Sequence, residues 1–312
     1  MNPATLTSLT PVVLLIAIGF IAARAGWIRP AAVRDLSNLV FFVLGPALLF
    51  RSMCGLDLAQ LDFRPTALYL AAEAVLFFGI FALQGANRRA AVLALAAIYG
   101  NLVMIGIPLV GLAYGDAGLA SLLPLVSVHA LVVLSVATIV LELALARENA
   151  ARGQGAAQHL ARTVGLAARN AVIHPVPLPI LAGLLFAQFG VPIPALLDRP
   201  LQLLGNAFGP MALLLVGIML VQSRVGRHLR AALAMALLKN LLLPALVLAL
   251  GSGLGLAGLP LTVMVVAAAL PSGANAFMFA QRYEVAEELV TASVAVSTVL
   301  ALFSLSLVMA LL

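Results

Sequence analysis

Leu270-Pro271-Ser272-Gly273-Ala274-Asn275-Ala276-Phe277 stands in the middle of an apolar run that extends from about Leu259 to Phe279. A run of that length is long enough to cross a bilayer. Its centre, however, carries a proline, a glycine and two polar side chains, which leave backbone groups unpaired where hydrocarbon offers no water. Such a break is sustainable only if it is buried in protein or lines a wet cavity. Asn101-Leu102-Val103-Met104-Ile105-Gly106-Ile107-Pro108 repeats the device inside an earlier apolar run, from about Ala91 to Ala113. Two interrupted helices at corresponding places in two halves of a membrane protein are the pattern of a transporter's binding site.

The rest of the composition agrees. Of 312 residues, 64% are hydrophobic and 9% charged, a balance that the surface of a water-soluble domain could not carry. The net charge of +6 would suggest nucleic acid in a soluble chain. Here the basic residues fall mostly in short segments between apolar runs, where they set topology, and no nucleic-acid partner is expected. The single cysteine, Cys54, excludes an intramolecular disulfide. The first apolar run lacks the flanks of a secretory signal and is expected to be retained as a helix.

Ten runs have the length of a span, near 5–23, 36–53, 66–84, 91–113, 120–146, 174–190, 195–221, 230–250, 259–281 and 287–311. Arginines crowd the segments after the odd-numbered runs, at Arg24, Arg29, Arg34, Arg88, Arg89, Arg147, Arg152, Arg162, Arg169, Arg224, Arg227, Arg230 and Arg282. The segments after even-numbered runs hold only Arg64 and Arg199, with Arg51 at a helix end. The positive-inside rule therefore places the odd segments in the cytoplasm and both termini outside, in the periplasm if the membrane is a bacterial inner membrane.

A polar stretch from 147 to 172 divides the spans five and five, so the second half enters the membrane inverted. Gly45-Pro46-Ala47-Leu48-Leu49 in the second span answers Gly209-Pro210-Met211-Ala212-Leu213 in the seventh. The expected fold is all-α and integral to the membrane: ten transmembrane helices as a 5+5 inverted repeat, with two broken crossover helices.

Ionisable residues at membrane depth cost of order 3 kcal/mol each and are normally paired or functional. Glu73 lies near the middle of the third span, and Lys239, the one lysine, beside Asn240 in the eighth. These three are read either as a fixed tie between helices or as a coupling and support network that responds to protons. His129, within the fifth span, either titrates near neutral pH or serves as a hydrogen-bonding group. Glu142 is read as an interfacial charge and Arg51 as a snorkelling one. Each helix break offers N–H groups with partial positive charge to a carboxylate. Asn101 and Asn275 can donate amide hydrogens there without bringing in a charge. The candidate substrate site is thus Asn101, Gly106, Pro108, His129, Pro271, Ser272, Gly273 and Asn275. Neither a metal site nor a cofactor is expected. Motifs of hydrolases, metalloproteases and nucleotide-binding loops are missing, which argues against an enzyme and leaves an ion gradient or the substrate's own gradient as the energy source.

Asn101 to Pro108 followed by Ala113-Tyr114-Gly115, with Ala269 to Tyr283 and the Pro46 to Phe50 run, resembles the auxin efflux carrier family, which includes the plant PIN carriers and bacterial malonate permeases. The resemblance implies a fold like that of the bile acid sodium symporters. Scaffold helices would come from 1–60 and 173–222, transport-domain helices from 61–146 and 223–312, and a cytoplasmic linker from 147–172. It further implies a crossing at Pro108 and Pro271, an organic anion bound beside it, alternating access of transport domain against scaffold, and a homodimer through the scaffold.

By the same resemblance, Asn101 falls on the crossover asparagine, His129 on a site-lining position and Glu73 on an acidic position of a support site. The chain departs from the plant pattern in having no basic residue between Leu39 and Phe50 and an asparagine at Asn275, which points to a more polar substrate. The expected function is a secondary transporter or uniporter of small organic carboxylates, auxin-like or malonate-like. Sodium coupling, with Ser272, Asn275 or Gln281 among the cation ligands, is the alternative, and a membrane ligand sensor a more distant one.

Overall fold

A computed structural model describes residues 3–54, 62–151, 177–221 and 226–312. Apart from one isolated two-residue bridge, the regular structure of these residues is helical, the form in which each segment satisfies its own backbone without water. Among the described residues, six helices are long and apolar enough to cross a membrane: Ala32–Cys54, Arg64–Leu83, Leu102–Glu148, Ala195–Val221, Leu229–Gly253 and Glu287–Leu311. Shorter apolar helices cover Leu9–Arg24, Leu178–Ala187 and Gly258–Ala268. From residue 152 onward, the linker expected over 147–172 lies outside the described residues.

In chain order the helices are α1 (Pro3–Arg24), α2 (Ala32–Leu39), α3 (Gly45–Cys54), α4 (Arg64–Leu83), α5 (Arg88–Ile98), α6 (Ile107–Ala151), α7 (Pro177–Ala187), α8 (Ala195–Val221), α9 (Leu229–Leu237), α10 (Leu243–Gly253), α11 (Gly258–Ala268), α12 (Asn275–Arg282) and α13 (Glu287–Leu311). Single π-helical turns at Val40–Leu44, Leu102–Gly106 and Leu238–Leu242 lead into α3, α6 and α10. Each of these three helices has proline as its second residue, at Pro46, Pro108 and Pro244. A proline ring collides with the carbonyl four residues back. The wider π turn gives that ring room and lets the helix continue.

Pro108 is therefore carried inside a helical stretch. The first interruption falls earlier, at Tyr99, where the backbone is extended at φ −68°, ψ 106°. The interruption expected over Asn101 to Pro108 is thus centred at its amino-terminal end, with Pro108 itself in the helix that follows. A second reversal lies within α6 at Gly115, with φ 59° and ψ −153°, a conformation that is in practice restricted to glycine.

The chain divides into two compact units. The first takes Met1–Phe63, Leu102–Ser127 and Ile173–Ser223. In it α1 lies along α8 and α3 along α7. Glycines permit these approaches: a Cβ at Gly19 would overlap the backbone of Leu214, and one at Gly217 the backbone of Ile16, the small-residue packing that replaces hydrophobic drive within lipid. Arg51 is tied to Asp198 of α8 by two bonds of 2.7 and 3.3 Å, so it is paired and does not reach out alone.

The second unit takes Arg64–Asn101, Val128–Val172 and Arg224–Leu312. α4 packs on α5, α10 and α11, and α9 on α13. Arg88 pairs with Glu148 at 2.7 Å. Glu142 accepts a 2.9 Å bond from the Tyr283 hydroxyl, a specific partner for a residue expected only to be interfacial.

Candidate functional site

Within the second unit, two interruptions are stitched to one another. α5 ends at Ile98, and α11 ends at Ala268, shortly before Pro271. Proline disfavours helical backbone at the residue before it, here Leu270. Gly100 and Ser272 then form an antiparallel bridge. The Asn101 N–H donates to the Pro271 carbonyl at 2.8 Å, and the Gly273 N–H to the Tyr99 carbonyl at 2.8 Å. Four backbone groups that would otherwise be orphaned inside an apolar unit thus satisfy one another.

Side chains brace the junction from several helices. The Ser272 N–H donates to Ser297 Oγ at 2.9 Å, and the Ser272 hydroxyl donates to the Ala96 carbonyl at 2.9 Å. Ser297 Oγ donates in turn to Asn240 Oδ1 at 2.6 Å, while Asn240 Nδ2 donates to the Ser297 carbonyl at 3.0 Å. Lys239 is fully buried. Its ammonium donates to the carbonyls of Ala268 at 2.5 Å and Leu270 at 2.8 Å, where the carboxyl end of α11 concentrates partial negative charge. The π turn at Leu238–Leu242 thus presents two neighbouring residues to the break, Lys239 to its carbonyls and Asn240 to its serine brace.

Gly100 explains how the ammonium fits. A Cβ there would lie 3.3 Å from Lys239 Nζ and 3.6 Å from the Tyr69 hydroxyl, so the three groups converge on one small volume. On the other side, Asn275 Nδ2 donates to the Tyr99 hydroxyl at 2.8 Å. The Tyr99 ring lies 4.8 Å from the His129 ring, centroid to centroid. His129 Nε2 is 2.9 Å from Glu73 Oε1, and both side chains are almost wholly buried, at 3% and 1% exposure.

Asn101, Pro271, Ser272, Gly273 and Asn275 therefore meet around the break. Glu73 and His129 form a pair joined to it through Tyr99, and Lys239 and Asn240 support it. Glu73 and Lys239 are not partners of each other: the carboxylate is bound to His129, the ammonium to carbonyls. Gly106 and Pro108 belong to the first unit, where both are buried and Gly209 of α8 lies against the Pro108 ring. Tyr69, Tyr99 and Ser297 are participants that the sequence reading missed. A signal for Ser297 exists in the buried face Ser293, Ser297 and Ser304 of α13. Among the described residues, no group of three or more His, Cys, Asp or Glu is placed to hold a metal.

Long apolar helices together with a polar, braced interruption define a multi-pass membrane transport protein. The chain belongs to the auxin efflux carrier family: it matches the family described as membrane transport protein over residues 4–309. A "Putative malonate transporter" of Rhizobium meliloti (strain 1021) is 26% identical over 306 residues, covering 92% of this chain and 89% of that protein. "Uncharacterized transporter YfdV" of Escherichia coli (strain K12) is 27% identical over 297 residues, covering 93% and 91%. "Probable auxin efflux carrier component 1b" of Oryza sativa subsp. japonica is 32% identical over 138 residues, 43% of this chain and 24% of the rice protein. The family and these relatives are transporters, and the chain is a transporter, not an enzyme.

Proposed function

We propose that the chain carries small organic carboxylates across the membrane as a secondary transporter or uniporter, binding the anion at the stitched break. The observation that carries this reading is the reciprocal exchange between Tyr99–Asn101 and Pro271–Gly273. It holds two helix ends apart in the unit's interior while the amide of Asn275 and the first turn of α12 stay beside it. A carboxylate there meets N–H groups and a helix amino terminus without a full positive charge having to be buried for it. Asn101, His129, Pro271, Ser272, Gly273 and Asn275 form the site on this reading.

The wider arrangement proposed is ten spans in a 5+5 inverted repeat with crossing helices. Both termini are periplasmic, the membrane is a bacterial inner membrane, and the chain is a homodimer. The unit that holds the break is the moving part in alternating access. Malonate is the first substrate to test, because the Rhizobium relative bears that name and because Asn275 adds a second amide to the site.

Proteoliposomes containing the purified chain, assayed with labelled malonate and indole-3-acetate under imposed proton and sodium gradients, test the reading. Saturable uptake of a carboxylate is expected. Uptake that requires sodium would favour the sodium-coupled alternative, and no uptake of any carboxylate under any gradient would remove the proposal.

A further inference from the structure

Three buried polar side-chain atoms have no hydrogen-bond partner among the described residues: Thr66 Oγ1, the Tyr69 hydroxyl and Glu73 Oε2. All three belong to α4. Spacings of three and four residues put them on one face of that helix, climbing it in steps of about 4.5 and 6 Å. Their residues are 3%, 0% and 1% exposed. A buried polar atom is costly unless water or a partner satisfies it, so three on a single stripe mark a place where the protein holds something polar. Steps of this size suit single waters, each with polar partners above and below.

We propose that this stripe is a hydrated proton inlet and that the Glu73–His129 pair at its inner end binds and releases a proton in each transport cycle. The inference rests on the transport reading and adds the coupling ion. Glu73 Oε1 is committed to His129 Nε2 at 2.9 Å, whereas Oε2 is buried without a partner. Thr66, at the outer end, is two residues from the exposed Arg64. The step is a proton transfer alone: the carboxylate gains the proton that a water in the stripe gives up, and that water recovers one from bulk solvent through the hydroxyls of Tyr69 and Thr66.

The charges around the pair explain why proton and anion would travel together. Tyr69 faces it from α4 and Tyr99 from the end of α5, their rings 5.9 and 4.8 Å from that of His129. Lys239 approaches from the π turn before α10, at the spot shared by Gly100 and Tyr69. α10 and α11, which also pack on α4, contain no titratable residue. The arginines of α5 stand at its far end, where Arg88 is paired with Glu148. One added proton raises the charge of this cluster by one unit, next to a break whose Asn275 touches the same Tyr99. Proton binding and anion binding then favour each other, and by linkage the preference is mutual, which makes the coupled mode symport.

Two measurements on the full-length chain test this. In the first, infrared spectra of the solubilised protein are recorded from alkaline to acid pH. Over the absorption of the other Asp and Glu side chains, the wild-type minus Glu73→Gln difference spectrum is expected to gain one protonated-carboxyl band on acidification, the glutamine keeping a side chain able to bond His129. A difference spectrum without such a band would overturn the proposal.

In the second, vesicles loaded with a pH-sensitive dye report protons moved with labelled malonate. Proton movement is expected to accompany wild-type uptake and to vanish in Glu73→Gln. In Thr66→Val it should slow several-fold, while exchange of labelled for unlabelled malonate, which needs no net proton transfer, continues. Malonate uptake without proton movement in the wild type, or with undiminished proton movement in Glu73→Gln, would overturn it. An intact infrared band with no malonate exchange would sink the transport reading and uphold the proton site.

Discussion

Lys239 donates from its ammonium to the carbonyl of Leu270, 31 residues away in sequence, at 2.8 Å. The bond closes the carboxyl end of one broken helix with a charge supplied by another, and it depends on Gly100 leaving room beside Nζ. Lys239→Met keeps the aliphatic length but leaves the carbonyls of Ala268 and Leu270 without their donor. Charged hydrogen bonds of this kind contribute about 1.5–3 kcal/mol each, so a clear loss of thermal stability in detergent is expected. A melting temperature equal to wild type would show that the ammonium does not hold the break.

Gly273→Ala tests the stitch itself. A Cβ at this position would lie 2.9 Å from the Tyr99 ring and 3.2 Å from the Gly100 carbonyl. Overpacking of this sort costs typically 1–3 kcal/mol, and here it bears on the bond from the Gly273 N–H to Tyr99. The expected outcome is a protein that inserts in the membrane but transports carboxylate at least several-fold more slowly, read by flux per inserted molecule.

Ser297→Ala removes one hydroxyl that serves two partners, accepting from the Ser272 N–H and donating to Asn240 Oδ1. Both remaining groups are buried. Leaving buried polar groups unsatisfied costs about 1–3 kcal/mol apiece. Ser297→Ala is expected to destabilise the protein, while Ser297→Thr, which retains the hydroxyl, should restore most of the loss. Equal melting temperatures for the alanine and wild-type proteins would remove Ser297 from the brace.

Arg51 and Asp198 give the contrasting case. Their side chains are 38% and 35% exposed, and ion pairs with that much solvent contribute little to stability. A double-mutant cycle through Arg51→Gln and Asp198→Asn is expected to return a coupling energy close to zero, with carboxylate flux unchanged in either single variant. A substantially larger coupling energy, or a collapse of flux, would show that this pair does more than join α3 to α8.

The cost of burying polar groups in an apolar chain is local, and the sequence alone therefore revealed much. The all-helical membrane class, the interruption at Pro271 to Asn275, and the burial of Glu73, His129, Lys239 and Asn240 all follow from polar residues standing where hydrocarbon demands none. The auxin efflux carrier signature was legible for the same reason, since its residues are the ones that lipid makes conspicuous. Within the stretch Asn101 to Pro108 the sequence did not say which residue leaves the helix, because a π turn widens the backbone enough to keep Pro108 within one.

Partner choice was decided only by the tertiary structure. The sequence left both Lys239 and His129 open as partners of Glu73; the packing of the second unit gave it His129, 56 residues distant, and gave Lys239 to carbonyls. The bond from Asn275 to Tyr99 spans 176 residues, and nothing in the local pattern of either selects the other. Lipid fixes which groups must find a partner, and a chain carries that requirement in its order of residues. Which partner each one finds depends on distances of a few ångströms between helices, set when the whole unit packs.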